Sequence, residues 1–377
     1  MSHFSNNSRS SLGAQLVTLF TNCALETSVL FLPLFADKIG ASKLQIGIIG
    51  GTFAISYGLS SWFFGRQSDI KGRLFFIRLG LVLSIAAFAA QAIAVNPVTL
   101  MIARAFVGLS IGVSVAALMA YHFEAGGNTG RFASFGSLGW FVGDLIAIYF
   151  HSYIGLFLLG SVSCGIALAI SLSLKEPEQR LPASPASASG KSPSIKPDTF
   201  KITRRNILVY APFFLRHLGA TMVWVILPLF FVSLGASTMW IAVIACINTG
   251  GQFIAMMFVD RFREYRLFLL GLLFSAIVFL AYSLSANFVQ IMPIQVILAL
   301  AWSCLYVGAL VLLLKNNEEK ATSTGILFSS MSIAGAIGPF LGGMVSEFWG
   351  YRQLLYCASG LCGAGLIIAL MRMKWKA

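Results

Sequence analysis

Apolar runs separated by short polar links recur along almost the whole chain. A membrane-crossing helix needs about 20 mostly apolar residues, since each residue advances the helix by about 1.5 Å. Twelve stretches meet this need, at residues 12–36, 43–64, 74–95, 98–121, 132–152, 154–174, 207–233, 238–259, 267–285, 288–314, 322–346 and 351–372. The division between the fifth and sixth, near His151 to Ile154, is the weakest. The polar start, Met1 to Ser11, leads into an apolar stretch longer than the core of about 7–15 residues found in a secretory signal. That stretch is expected to remain as the first membrane helix. The predicted fold is an all-α membrane protein with twelve transmembrane helices.

One link differs from the rest. Lys175 to Arg205 holds Pro182, Pro185, Pro193 and Pro197 among many Ser and Ala. Such a segment has no apolar face to bury and reads as a flexible, solvated linker. It divides the chain into two bundles of six helices, residues 1–174 and 206–377, joined by 175–205.

The two bundles repeat each other. At a shift of 195 residues, Leu32-Pro33-Leu34-Phe35 matches Leu227-Pro228-Leu229-Phe230, and Gly40-Ala41-Ser42 matches Gly235-Ala236-Ser237. Glu124 falls on Glu319, Thr129-Gly130 on Thr324-Gly325, Ser134 on Ser329 and Gly143 on Gly338. Between these runs a four-residue deletion changes the shift to 191, and Asp69 then meets Asp260 while Gly80 meets Gly271. Two six-helix repeats with a binding site between them are the architecture of a rocking transporter.

Composition agrees with this pattern. The chain is 58% hydrophobic and 10% charged, against about 25% charged in soluble domains. The net charge of +13 would suit a nucleic-acid binder, but the cations sit in short links between apolar runs rather than on one basic face. Of the 26 Lys and Arg, 21 fall on the side of the linker and both termini. Three, Lys38, Lys43 and Arg352, fall on the other. By the positive-inside rule the linker and termini are expected in the cytoplasm, with the protein spanning the cell membrane. The six cysteines lie inside apolar runs, without a Cys-x-x-Cys pair. No disulfide, metal site or cofactor is expected.

The charged segment Gly65-Arg66-Gln67-Ser68-Asp69-Ile70-Lys71-Gly72-Arg73 links the second and third stretches. Its Gly-x-x-x-Asp-x-x-Gly-Arg spacing resembles the loop between helices 2 and 3 of the major facilitator superfamily, and the resemblance extends over nearly the full chain. It implies that Asp69, with the bases Arg66, Lys71 and Arg73, forms a cytoplasmic gate between the halves. Asp260 begins the second-half counterpart, which lacks both glycines. Simple marking of topology is the competing reading of these charges.

Two further matches follow. Arg104, Gly108 and Gly112 share one face of the fourth helix, and an arginine there is linked to proton transfer in the family's proton-coupled branches. Snorkelling to the outer interface is the alternative for Arg104. Gly335-x-x-Gly338-Pro339-x-x-Gly342-Gly343 on the eleventh helix resembles the Gly-Pro signature of the family's antiporters. That signature belongs on the fifth helix, which reads Gly139-x-x-x-Gly143-Asp144 here, with Asp144 in place of the proline.

Ionisable groups inside membrane helices are costly to bury and point to function. Glu26, one turn after Asn22, is the first candidate for proton coupling. Away from water its neutral form is favoured, while an arriving cation favours the charged form, so proton and cargo can compete. Asp144 could serve in the same way, or could bridge to Arg104. Arg216 and His217, with Trp224 two turns on, suit an anion or carboxylate, and the imidazole could relay protons; hydrogen bonding to helix ends is the alternative. Asn248 and Gln252 are one turn apart and could face the cavity or simply pack. Trp302 and Tyr306 form an i, i+4 pair for which packing or lipid contact is favoured over stacking with a substrate.

These readings converge on a secondary transporter, monomeric, moving a small molecule by alternating access with protons as the coupling ion. The mid-helix Glu26 and the 32 phenylalanines favour efflux of a lipophilic or cationic compound. Arg104, Arg216 and His217 favour the alternative, symport or facilitated passage of an organic anion. No Gly-x-Ser-x-Gly, His-Glu-x-x-His or phosphate-binding loop appears, so an enzyme is not expected. A non-transporting sensor or scaffold is the remote alternative.

Overall fold

The computed structural model describes residues 2–127, 129–150, 152–175, 199–256, 258–259, 262–317 and 320–375. Among them there is no strand. The first half contains α1 (Ser2–Val29), α2 (Leu32–Lys38), α3 (Lys43–Lys71), α4 (Arg73–Ala92), α5 (Pro97–Glu124), α6 (Thr129–Tyr149) and α7 (Tyr153–Leu172). After a short α8 (Thr199–Arg205), the second half contains α9 (Ile207–Trp224), α10 (Leu227–Ser233), α11 (Thr238–Met256), α12 (Glu264–Leu284), α13 (Ile291–Asn316), α14 (Lys320–Phe348) and α15 (Tyr351–Trp375). Eleven spans among the described residues are long and apolar enough to cross a membrane, with α1 and α2 forming one of them. A shorter apolar run, Ser134–Tyr149 of α6, occupies the place of the fifth predicted crossing.

The first and seventh crossings are broken at matching points. The chain leaves α1 before Leu32-Pro33 and α9 before Leu227-Pro228. Each proline enters in the first turn of the following short helix, where its missing N–H breaks no helical bond. Each short helix is followed by a glycine, Gly40 or Gly235, and both have φ +87.

Helix packing repeats too. A Cβ on Gly80 would strike Ser114 on α5, and one on Gly271 would strike Leu305 on α13, the position 191 residues further on. A Cβ on Gly143 would strike Glu26, and one on Gly338 would strike Thr221, at a shift of 195. In lipid, helices gain little from hydrophobic exclusion, so close backbone approach at small residues carries their association.

The halves meet along α3 with α14 and along α6 with α11. At the end of α3 that carries Lys43 the fit is tight. Gly47 lies against Pro339 and Gly343, and Gly50 against Pro339 and Val225. Glu347 Oε2 accepts the Lys43 N–H at 2.8 Å, and Lys43 Nζ donates to the Ser346 carbonyl at 3.2 Å. Toward the linker end the contact loosens: a Cβ on Gly335 would meet only Ala54, at 4.0 Å, and one on Gly58 or Gly325 would meet nothing within 4 Å among the described residues. Ile55, Leu59, Trp62 and Phe63 are exposed along this part of α3.

Two expectations change. The Gly65 to Arg73 segment is not a loop. α3 continues through Lys71, and Gly72 alone, at φ +101, separates it from α4. The helix persists because Gly72 N–H still closes a bond to the Ser68 carbonyl at 3.2 Å, and a glycine reaches that φ without Cβ strain. The flexible reading of the linker does not extend to its end, since residues 199–205 form α8. Arg205 Nε and Nη2 donate to Asn317 Oδ1 at 3.0 and 2.6 Å, fastening α8 to the end of α13. The rest of the linker, residues 176–198, lies outside the described residues.

Candidate functional site

The glycine face of α6 creates the first cluster. Side chains added at Gly139 and Gly143 would collide with α1 at Leu19, Asn22, Cys23 and Glu26. The close approach sets Glu26 against Asp144, near enough for the two carboxyl groups to interact directly. Both residues are buried. Thr249 of α11, in the other half, donates its hydroxyl to Asp144 Oδ2 at 2.7 Å. Glu26 Oε2 and Asp144 Oδ1 have no hydrogen-bond partner among the described residues. One turn earlier, Trp140 Nε1 donates to Asn22 Oδ1 at 2.8 Å. In the second half the equivalent positions hold Thr221, Gly338 and Pro339, so the acidic pair is confined to one half.

Arg104 does not bridge to Asp144 and does not snorkel. It is buried, and Nη1 donates to Ser28 Oγ at 3.1 Å and to Gln91 Oε1 at 3.4 Å. Its guanidinium carbon stands 4.4 Å from the centre of the Phe53 ring, a cation–π contact. Gly108 and Gly112 let α5 approach α3 at Phe53, Tyr57 and Ser60, which brings the ring to the arginine.

Arg216 is held in a comparable way. It is fully buried, Nε donates to Ser275 Oγ at 2.9 Å, and the guanidinium carbon lies 5.0 Å from the Trp302 ring centre and 5.9 Å from that of Trp224. Nη1 and Nη2 have no hydrogen-bond partner among the described residues. His217 stacks on Trp302 at 5.7 Å, and Trp302 stacks on Tyr306 at 5.3 Å. The Trp302–Tyr306 pair therefore belongs to a side-chain cluster around the two basic residues. On α11, Gln252 Nε2 donates to Asn248 Oδ1 at 2.6 Å, and Asn248 Nδ2 reaches the Gln295 carbonyl at 3.4 Å.

The residues expected to form the cytoplasmic gate are described only in part. The side chains of Arg66 and Asp69, and all of Asp260, lie outside the described residues. Lys71 is exposed. Arg73 pairs within its own half: Nη2 meets Glu124 Oε1 at 2.8 Å and Nη1 donates to Ser68 Oγ at 2.7 Å. Sequence reasoning does not single out Thr249, Ser28, Gln91 or Ser275. Single hydroxyls and one amide in apolar helices stand out only once the neighbouring helix is known.

Buried ionisable clusters within a membrane bundle of two pseudo-repeated halves define a membrane transport protein. The chain belongs to the Major Facilitator Superfamily, whose family model matches residues 16–313 and 213–374. Among solved structures it is similar to a mutant form of the nucleoside transporter NupG, with a TM-score of 0.78 and 12% identity over 97% of this chain and 99% of that one. A bacterial homologue of the human lysosomal transporter Spinster, inward-facing and occupied, gives a TM-score of 0.76 at 16% identity, covering 98% and 97%. The human organic anion transporter MFSD10 gives 0.70 at 16% identity, covering 96% and 99%. At these identities the likeness is one of fold. None of the curated proteins matches the chain.

Proposed function

We propose that this protein is a proton-coupled secondary transporter in which Glu26 and Asp144 together carry the proton. The observation behind this reading is the contact of the two carboxyl groups, with Thr249 of the opposite half bonded to one of them. Two carboxyls side by side, away from water, strongly resist ionising together, so the pair favours holding one proton between them. Gaining or losing the second proton changes what Asp144 offers to Thr249, and so links proton binding to the contact between halves.

The cargo reading follows from charge. Glu26 taken alone favours efflux of a lipophilic or cationic compound. The arrangement of the cluster favours the alternative, an organic anion moving with a proton. The acids face each other, while Arg104 and Arg216 are supported by hydroxyls and aromatic faces rather than by carboxylates. With one proton on the acidic pair, these four side chains carry one net positive charge, which a monoanion would neutralise.

Reconstitution into liposomes with a trapped pH dye tests both parts. Inward gradients of organic acids and of organic cations are imposed in turn. An anion entering with protons acidifies the interior. A cation entering in exchange for protons makes it alkaline. If no compound in either panel moves protons above the protein-free leak, the proposal fails.

A further inference from the structure

The side-chain arrangement around Arg216 carries more than a general preference for anions. Its guanidinium is gripped at one nitrogen only, by Ser275, and both terminal nitrogens are buried without a hydrogen-bond partner among the described residues. Leaving charged donors unpaired inside a bundle is expensive. A planar fork of two free N–H groups matches a carboxylate in bidentate geometry. Beside it His217, Trp302 and Tyr306 form a run of stacked rings, the two interplanar angles being 28° and 20°. His217 Nδ1 is also without a partner among the described residues. Trp224, 5.9 Å from the guanidinium carbon, is itself exposed, so the cluster borders on the surface at this ring.

We infer that the Arg216 fork and the Trp302–Tyr306 rings form the recognition site for a planar aromatic carboxylate, its carboxylate on Arg216 and its ring on the aromatic run. The inference rests on the proposed anion–proton reading but separates two roles. Arg216 selects the cargo, while Glu26 and Asp144 carry the proton. Ser275 is a positioning residue that holds Nε and leaves the fork free.

Isothermal titration of the purified full-length protein with three probes of similar shape tests the inference: benzoate, neutral benzamide and cationic benzylamine. Benzoate is expected to bind at least about tenfold more tightly than the other two, the discrimination lost with a charge-assisted pair. Arg216→Gln is expected to remove that preference, and Arg216→Lys to restore part of it. Tyr306→Ala is expected to weaken benzoate and benzamide by similar factors. Failure of benzoate to bind the wild type, or equal affinities for benzoate and benzamide, would overturn the inference without any variant. So would an unchanged preference in a folded Arg216→Gln protein. Proton flux in liposomes keeps the two claims apart. A benzoate preference with no proton movement for any cargo would leave the site standing and defeat the proton reading. Proton movement with other cargo, but no benzoate preference, would do the reverse.

Discussion

Thr249 of α11 donates a 2.7 Å hydrogen bond to Asp144 Oδ2 of α6, and so joins the two halves at one of two neighbouring buried carboxyls. The same hydroxyl lies 3.1 Å from the Ala245 carbonyl of its own helix. A hydroxyl has one proton to give, and the two acceptors compete for it. A charged Asp144 draws the donor across the interface. A protonated Asp144 can supply its own proton and release the Thr249 donor to Ala245.

Replacing Thr249 with Val removes that link while keeping the side chain's shape. One hydrogen bond is worth about 1 kcal/mol net, enough to change a two-state ratio roughly fivefold. Spin-label distances between the two halves are expected to shift toward the form open at the Lys43 end, whereas Thr249→Ser leaves the distribution near that of the wild type. An unchanged distribution in the Val variant would show that this bond does not bias the halves.

The tight seam at the Lys43 end gives a second prediction. A Cβ on Gly343 would meet the Lys43 carbonyl and the Gly47 backbone, so Gly343→Val is expected to hold that end apart. Ser346 is buried there. In a background with the exposed Cys357 changed to Ser, a Ser346→Cys thiol is expected to react several-fold faster with a membrane-impermeant reagent when Gly343→Val is present. Equal rates would mean that the seam tolerates the added bulk.

Arg104 is buried with Ser28, Gln91 and Phe53 around it. A buried charge held without a carboxylate opposes stability, and an apolar residue of similar volume often replaces such a group at no cost. Arg104→Met is therefore expected to leave the thermal midpoint unchanged or higher, while transport falls at least tenfold. A large loss of thermal stability with transport preserved would make Arg104 a structural residue.

Much of this fold is visible in the sequence because the bilayer imposes a simple rule. A helical crossing must be long and apolar, with its backbone hydrogen bonds closed within itself, and the twelve stretches follow from that. The repeat also predicts packing: Gly80 and Gly271 each face the following long helix at matching positions, Ser114 and Leu305. Helix ends are less legible. α3 runs through Arg66 and Asp69 because a helix tolerates charges outside the apolar layer, and only Gly72 forces a change of direction. At the candidate site single ionisable residues stand out in the sequence, but their pairing does not. Glu26 and Asp144 stand out singly in the sequence, yet their meeting depends on the glycine face of α6. Arg104 could be matched to Asp144 by charge, but Ser28 and Gln91 are what it reaches.

Glycine positions separate backbone strain from packing. Gly72 at φ +101 is the one-residue hinge between α3 and α4. Gly72→Ala is expected to cost about 1–3 kcal/mol, the range for a non-glycine residue forced into such a conformation, and to lower the thermal midpoint. Gly363 sits within α15 with open space where a Cβ would go. Gly363→Ala is expected to be neutral or to stabilise by up to about 1 kcal/mol through helix propensity. Equal midpoints for the two variants would contradict the strained geometry at Gly72.

The central claim is that Glu26 and Asp144 carry the coupled proton. The most direct measurement is proton flux driven by a cargo gradient in liposomes, comparing the wild type with the Glu26→Gln, Asp144→Asn double variant. Both substitutions keep size and polarity and remove the titrating proton. Cargo-linked pH change is expected in the wild type. In the double variant none is expected, with cargo exchange down its own gradient still measurable. Undiminished proton flux per cargo molecule in the double variant would contradict the claim.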